Sequence, residues 1–151
     1  MATHTARDIA NWLLMWAEAQ EGDDAGLTNL KLQKLLYYAQ GHLLGKSGEP
    51  LFADPIEAWA HGPVVKNEYH RLKVYGNGAI DVDSAVPDDF NWDDYRDVEA
   101  HLIAVWNTYG KYAAWVLREM THKEAPWLNA FNGEHNVPIT REALQDFFTA
   151  R

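Results

Sequence analysis

The chain has 151 residues, 47% of them hydrophobic and 13% aromatic, and a formal net charge of −9. This composition excludes a disordered chain, and the length fits one domain able to bury roughly 68–70% of the surface its unfolded form exposes. The absence of cysteine excludes a disulfide framework and any thiolate metal site, and 13 Lys and Arg against 22 Asp and Glu leave no basic run to neutralise nucleic-acid phosphates.

A negative chain suits a basic protein partner through electrostatic complementarity, or simply stays soluble by self-repulsion. Seven Trp is a high number for this length, and Trp serves both cores and binding hot spots. No apolar stretch approaches the roughly 18 residues of a membrane span. Met1–Gln20 is amphipathic, carries Asp8 and Glu18, and shows no cleavage-type signal, so the cytoplasm is the expected location.

The first predicted helix covers residues 5–19. Thr5 is its N-cap with Asp8 completing a capping box, and Ile9, Trp12, Leu13 and Trp16 form one apolar stripe. Residues 21–26 read as a loop. The second helix runs from Thr28 to about Leu44, with Leu27 stapled to Leu32. Leu32, Leu35, Leu36, Ala39 and Leu43 make one face, and Leu30, Tyr37 and Leu44 an adjoining one, so this helix should sit at the centre of its domain. Residues 45–55 break regular structure. Ile56 to Ala60 alternate as a short strand, with Ala79 to Val82 as the expected partner strand.

Gly62-Pro63 reads as an N-cap and first helical position, leading into a helix with Val65, Tyr69 and Leu72 that stops at Gly76. Val86 to Asp94 is acidic and irregular, the segment expected to vary or move. A fourth helix carries Tyr95, Val98, Leu102, Val105 and Trp106 and ends near Gly110. Ala113, Val116, Leu117 and Met120 mark a fifth. Pro126 starts a short turn or helix, and a last helix is capped by Thr140, with Ile139 stapled to Leu144 and Phe147 or Phe148 buried. The expected fold is mainly α, a compact single domain over residues 1–151, with about six helices and a small two- or three-stranded β element.

Four groups of residues invite a chemical reading. His61-Gly62-Pro63 places an imidazole beside a predicted helix N-terminus, which would hold an acidic side chain or phosphate; the alternative is a shaped turn anchored by His61. In Thr121-His-Lys-Glu-Ala-Pro-Trp127, His122, Glu124, Pro126 and Trp127 form either a contact surface or a helix C-cap followed by a core tryptophan. Lys31, Lys34 and Tyr38 lie on one line of the second helix. They make either a basic–aromatic stripe or, as the charge favours, the helix's solvated edge. None of the seven histidines shows the His-Glu-x-x-His spacing, although His61, His122 and a carboxylate would make a metal-dependent hydrolase site if the fold joined them. Ser47 and Ser84 lack a nucleophile-elbow context, and Gly41 to Gly48 lacks a phosphate-loop pattern.

Three segments in order, Leu30-Lys-Leu-Gln-Lys-Leu-Leu-Tyr-Tyr-Ala-Gln40, Glu57-Ala-Trp59-Ala-His-Gly-Pro-Val64, and Tyr109-Gly-Lys-Tyr112 with Thr121-His…Pro-Trp127, resemble the Panacea (SocA-like) antitoxin domain family of phage- and plasmid-associated proteins. The resemblance covers about residues 5–130. It implies a non-enzymatic, cofactor-free antitoxin that binds a toxin encoded nearby, or an adaptor delivering that toxin to a ClpXP-type protease; it leaves a homo-oligomer open and does not point to nucleic acid or membrane. It places Lys31, Lys34, Tyr38, Trp59, His61, Gly62, Pro63, His122, Glu124, Pro126 and Trp127 among motif or partner-binding residues. Ala113 stands where the family pattern carries serine. Toxin-specific contacts are expected outside the motifs, on the Val86 to Asp94 loop or the outer face of the first helix.

Overall fold

Thr5 starts the first helix as its sequence predicts. Its hydroxyl accepts from the Asp8 amide at 3.1 Å, and the Asp8 carboxylate accepts from the Thr5 amide at 3.1 Å, closing a capping box at the head of α1 (Ala6–Ala19). The computed structural model describes residues 4–20, 26–134 and 137–149. Ile9, Trp12 and Leu13 are buried, and Trp16 stacks on Trp12 with ring centroids 4.9 Å apart.

Helix α2 (Asn29–Ser47) begins at the predicted Thr28 cap, whose hydroxyl accepts from the Lys31 amide. It runs past Leu44 to Gly48, whose φ of +75° closes the helix in the left-handed conformation. The helix is central, as its two apolar faces predict: Leu32, Leu35, Leu36, Tyr37, Tyr38 and Ala39 are all fully buried. Helix α8 (Arg141–Thr149) lies so close that a Cβ on Gly41 would stand 2.2 Å from the Phe148 ring. Thr140 caps α8 through its hydroxyl, and Phe148 is the buried member of the Phe147–Phe148 pair.

The β element has the expected size and its first strand lies where predicted, but the partners of that strand differ. Strand β1 (Ile56–Trp59) is the centre of a three-stranded antiparallel sheet of order β2-β1-β3, pairing with β2 (Gly62–Val65) and β3 (Pro138–Ile139). Ala79 instead bridges Thr28, and Val82 opens the short helix α4 (Val82–Ala85). Gly62-Pro63 is therefore strand, not a helix start. A tight hairpin turn at Ala60-His61 puts Trp59 opposite Gly62, and helix α3 (Lys66–Leu72) starts only after β2 ends. The pre-helical glycine–proline signal was outweighed by pairing with β1, which satisfies backbone groups along a fully buried strand.

A 3₁₀ turn (Lys73–Tyr75) follows α3 and stops at Gly76. The segment from Val86 to Asp94 is less irregular than its composition suggests. Trp92 enters a second 3₁₀ turn (Trp92–Tyr95) and meets Trp12, Trp16 and Phe90 edge-on, so aromatic packing fastens the segment to α1. Helices α5 (Glu99–Tyr109), α6 (Ala114–Thr121) and α7 (Ala125–Ala130) complete the set. The result is a mainly helical fold, with eight α-helical segments among the described residues. None of those helices is long and apolar enough to cross a membrane.

Candidate partner-binding site

Four polar residues of α2, Asn29, Gln33, Lys34 and Gln40, are buried. Gln33 is fully buried; its carbonyl oxygen accepts from the Val65 amide at 2.9 Å while its amide donates to Asn29 Oδ1 at 2.8 Å. The Asn29 amide in turn donates to the Tyr69 carbonyl. Two turns along, the Gln40 side chain takes the Leu51 and Phe52 amides and donates to the Phe52 carbonyl. One helix thus terminates the orphan backbone groups of the hairpin, α3 and the segment before β1.

Lys34 is the sharpest departure from the sequence reading. It was expected at a solvated edge, yet it is 0% exposed and donates from Nζ to the Pro63 carbonyl at 2.8 Å. Burial, and after it the charge of Arg118, pushes its ammonium down to about 7. Gly62 makes room for it. With φ at +112°, a Cβ there would stand 2.7 Å from Lys34 Cε and 2.9 Å from Thr121 Oγ1. Lys31 does reach the helix flank, where its ammonium donates to the Gly110 carbonyl at 2.6 Å and lies 5.8 Å from the Trp106 ring.

Tyr37 and Tyr38 converge on one carboxylate. Their hydroxyls donate to Glu124 Oε1 and Oε2, each at 2.9 Å. Burial first, then the Glu124 charge, holds both phenols well above their usual range. Tyr38 also stacks on Tyr109 at 3.9 Å, and the Tyr109 hydroxyl, its proton loss pushed up to about 12 by burial first and then the Glu124 charge, sits 2.6 Å from His42 Nε2. Glu124 is the N-cap residue of α7, and Pro126 lies in that helix's first turn. Trp127 is buried; its indole donates to the Trp59 carbonyl at 2.7 Å and its ring stacks on Phe131.

His122 locks the same corner. Nδ1 lies 2.6 Å from the Arg118 carbonyl and Nε2 2.8 Å from the Ala60 carbonyl. Carbonyl oxygens only accept, so a neutral imidazole donates to one of them and an imidazolium to both. With both ring nitrogens so engaged, His122 does not fit the metal-ligand role of the hydrolase reading. Among the described residues, no three His, Asp or Glu side chains are grouped to hold a metal ion. His135 lies outside the described residues.

On the other side of the hairpin turn a cleft of about 560 Å³ opens. Its walls are the first turn of α2 (Thr28, Asn29, Leu30), His61, Tyr69 of α3, Lys73, Gly76 and Asn77, and Ala114 of α6. His61 stacks on Tyr69 at 5.9 Å, and Tyr69 meets Trp59 edge-on at 4.9 Å. His61 does stand near a helix N-terminus, but it is that of α2, not of the helix following Pro63. Two of the exposed large hydrophobic side chains flank the cleft in sequence: Trp115, next to Ala114, is 68% exposed, and Val74, next to Lys73, is 81% exposed.

The family model described as antitoxin SocA-like, Panacea domain, matches residues 32–128. A relative named Antitoxin SocA, from Caulobacter vibrioides (strain NA1000 / CB15N), is 35% identical over 136 residues, which span 85% of this chain and 71% of that protein. No solved structure matches the chain.

The chain belongs to the antitoxin SocA-like, Panacea family. The Panacea match starts inside α2 and ends inside α7, so it encloses the Gln33, Lys34, Tyr37, Tyr38 and Glu124 network and leaves α1, β3 and α8 outside. The motif residues split accordingly. Lys34, Tyr38, Trp59, Gly62, Pro63, His122, Glu124 and Trp127 meet at one internal junction of α2, the hairpin, α6 and α7, whereas His61 faces the cleft. Gln33, Tyr37 and Thr121 belong to the junction and Gln40 to the anchoring of the segment before β1; these were missed in the sequence, as were Tyr69 and Lys73 in the cleft. Gln33 and Gln40 carried a readable signal: two amides seven apart on an otherwise apolar helix.

Proposed function

We propose that this protein is a non-enzymatic antitoxin that neutralises a cognate toxin by direct protein–protein binding. The observation that carries the reading is the 35% identity to Antitoxin SocA along 85% of the chain. The geometry supports it in two ways. The ionisable motif side chains Lys34, His122 and Glu124 are engaged in bonds within the fold. Beside them lies an open cleft, and Trp115 and Val74, next in sequence to its lining residues Ala114 and Lys73, are exposed side chains of the aromatic and aliphatic kind that anchors protein interfaces.

The test is co-expression with the product of the neighbouring open reading frame. A neighbour that arrests growth alone, is tolerated with this protein and co-purifies with it supports the antitoxin reading. A harmless neighbour that does not co-purify refutes it. The half-life of the neighbour's product separates blocking from delivery: a product degraded only when both this protein and a ClpXP-type protease are present makes the protein an adaptor, and an inhibited but long-lived product makes it a blocker.

A further inference from the structure

We infer that the cleft between α2, α3 and α6 is the toxin-docking site, and that it takes a toxin segment carrying a carboxylate next to an aromatic or aliphatic anchor. The occupant's identity as a toxin rests on the antitoxin reading above; the chemistry of the segment rests on the cleft itself.

The chain is −9 overall, yet the cleft is locally positive. No Asp or Glu lines it, and Lys73 is its one formally charged wall residue. Lys73 is exposed and forms no ion pair among the described residues. The first turn of α2 forms another wall, so the positive end of a 19-residue helix opens into the same space. Arg118 lies one turn along α6 from Ala114, close enough to act electrostatically on buried Lys34. Outside the lining, Glu68 pairs with Arg71 at 2.8 Å, Glu119 offsets Arg118 at 3.5 Å, and Glu57 accepts from the Trp59 indole at 2.9 Å. An anionic group entering here meets the Lys73 ammonium and the amide end of α2, with no carboxylate among the lining residues.

Charge alone would suit a free anion. The walls argue for a side chain as well. Leu30, Tyr69 and Ala114 give the cleft apolar surface, and its volume of about 560 Å³ accommodates several side chains. Trp115 and Val74, next in sequence to the lining residues Ala114 and Lys73, are exposed apolar side chains that an aromatic or aliphatic partner group would cover on docking. Because the whole protein is strongly negative, a uniformly acidic partner would be repelled at long range. The acidic segment therefore belongs to a toxin that is elsewhere neutral or basic, drawn in by the overall field and oriented by the local one.

Two experiments on the full chain test this. In the first, an acetylated and amidated hexapeptide with two aspartates beside a phenylalanine is titrated while backbone and indole NMR signals are followed, against the same peptide with two lysines. The expected result is saturable shifts at Leu30, Tyr69 and Trp115 with the aspartate peptide only, weakened at least tenfold in Lys73→Glu. Equal shifts with both peptides, shifts elsewhere, or none would overturn the inference. So would self-association at working concentration that Lys73→Glu abolishes, because the occupant would then be a second copy of the chain.

In the second, the toxin is captured by tagged wild type, Lys73→Glu, Trp115→Ala, and a control with Glu142→Lys and Asp146→Lys on the exposed side of α8. At least tenfold loss in the first two variants, with the control unchanged, supports the cleft. Full capture by Lys73→Glu and Trp115→Ala overturns it while leaving the antitoxin reading intact. A neighbour that wild type fails to capture, with the aspartate peptide still bound at the cleft, refutes the antitoxin reading and supports the cleft chemistry.

Discussion

Lys34→Met replaces a buried ammonium with an uncharged side chain of similar length, and its effect should depend on pH in a calculable way. In the folded protein the Lys34 ammonium is pushed from its ordinary 10.5 down to about 7. Between those values the unfolded chain holds a proton that the folded chain does not, so stability rises with pH across the window and is lost as pH falls towards 7. One pH unit within the window is worth roughly 1.4 kcal/mol, and the tapering near each limit leaves about 3 kcal/mol between pH 7 and pH 9.5. The variant has no such group, although it leaves the Pro63 carbonyl without its donor, a pH-independent cost of about 1–3 kcal/mol. Urea unfolding of both proteins at half-unit steps from pH 7 to 9.5 gives the difference directly. Wild type should gain about 3 kcal/mol on the variant over that range, before tyrosine ionisation in the unfolded state intervenes. Parallel stability profiles would refute the reasoning, because Lys34 would then titrate alike in both states.

Glu124→Gln leaves one acceptor oxygen for the two hydroxyls of Tyr37 and Tyr38, and should destabilise by about 1–3 kcal/mol in urea unfolding. Gly62→Ala forces a side chain into the left-handed region with its Cβ 2.7 Å from Lys34 Cε; the backbone strain alone is about 1–3 kcal/mol, read as a lower melting temperature. His42 and His101 are both pushed below their usual range, by burial first and then, for His42, by the charges of His101 and Lys46. Stability is therefore fully present above about 6.5 and lost as pH falls below it; His101→Gln, which can still donate to the Ala39 carbonyl, should flatten that acid limb in unfolding titrations. Trp115→Ala should change stability by no more than about 0.5 kcal/mol, since the ring is 68% exposed, while lowering toxin capture.

The helices were legible because their caps and apolar periodicities are local. Thr5, Thr28 and Thr140 each accept from the amide three residues on, as the sequence predicts. Strand β1 and the size of the β element were legible as well, but the partners of β1 were not. Pro138–Ile139 reaches β1 from about eighty residues away along the chain, and Gly62-Pro63 carries the local signature of a helix start while its backbone pairs with Trp59 and Ala58. Lys34 failed for a related reason. Composition assigns a lysine to water, and only the approach of the hairpin turn, with Gly62 left-handed and Pro63 offering its carbonyl, makes a dry place for it. The motif residues were visible as a set, but which faced inward depended on that same approach.

This inward arrangement bears on how the domain meets its partners. The sequence run that most resembles the family, Leu30 to Gln40, spends its polar atoms on the Val65 amide, the Pro63 carbonyl, the Glu124 carboxylate and the Leu51–Phe52 backbone. Changing any of these atoms leaves a buried group unsatisfied and should weaken the fold, and with it the capture of every partner alike. Lys73, Val74 and Trp115 are exposed and outside that network, so changing them should alter capture of one partner while the melting temperature holds. Paired measurements of melting temperature and toxin capture across both sets divide scaffold from interface. If Gln33→Leu weakened capture with an unchanged melting temperature, or Lys73→Glu lowered both together, the division would be wrong and the motif itself would have to be part of the contact surface.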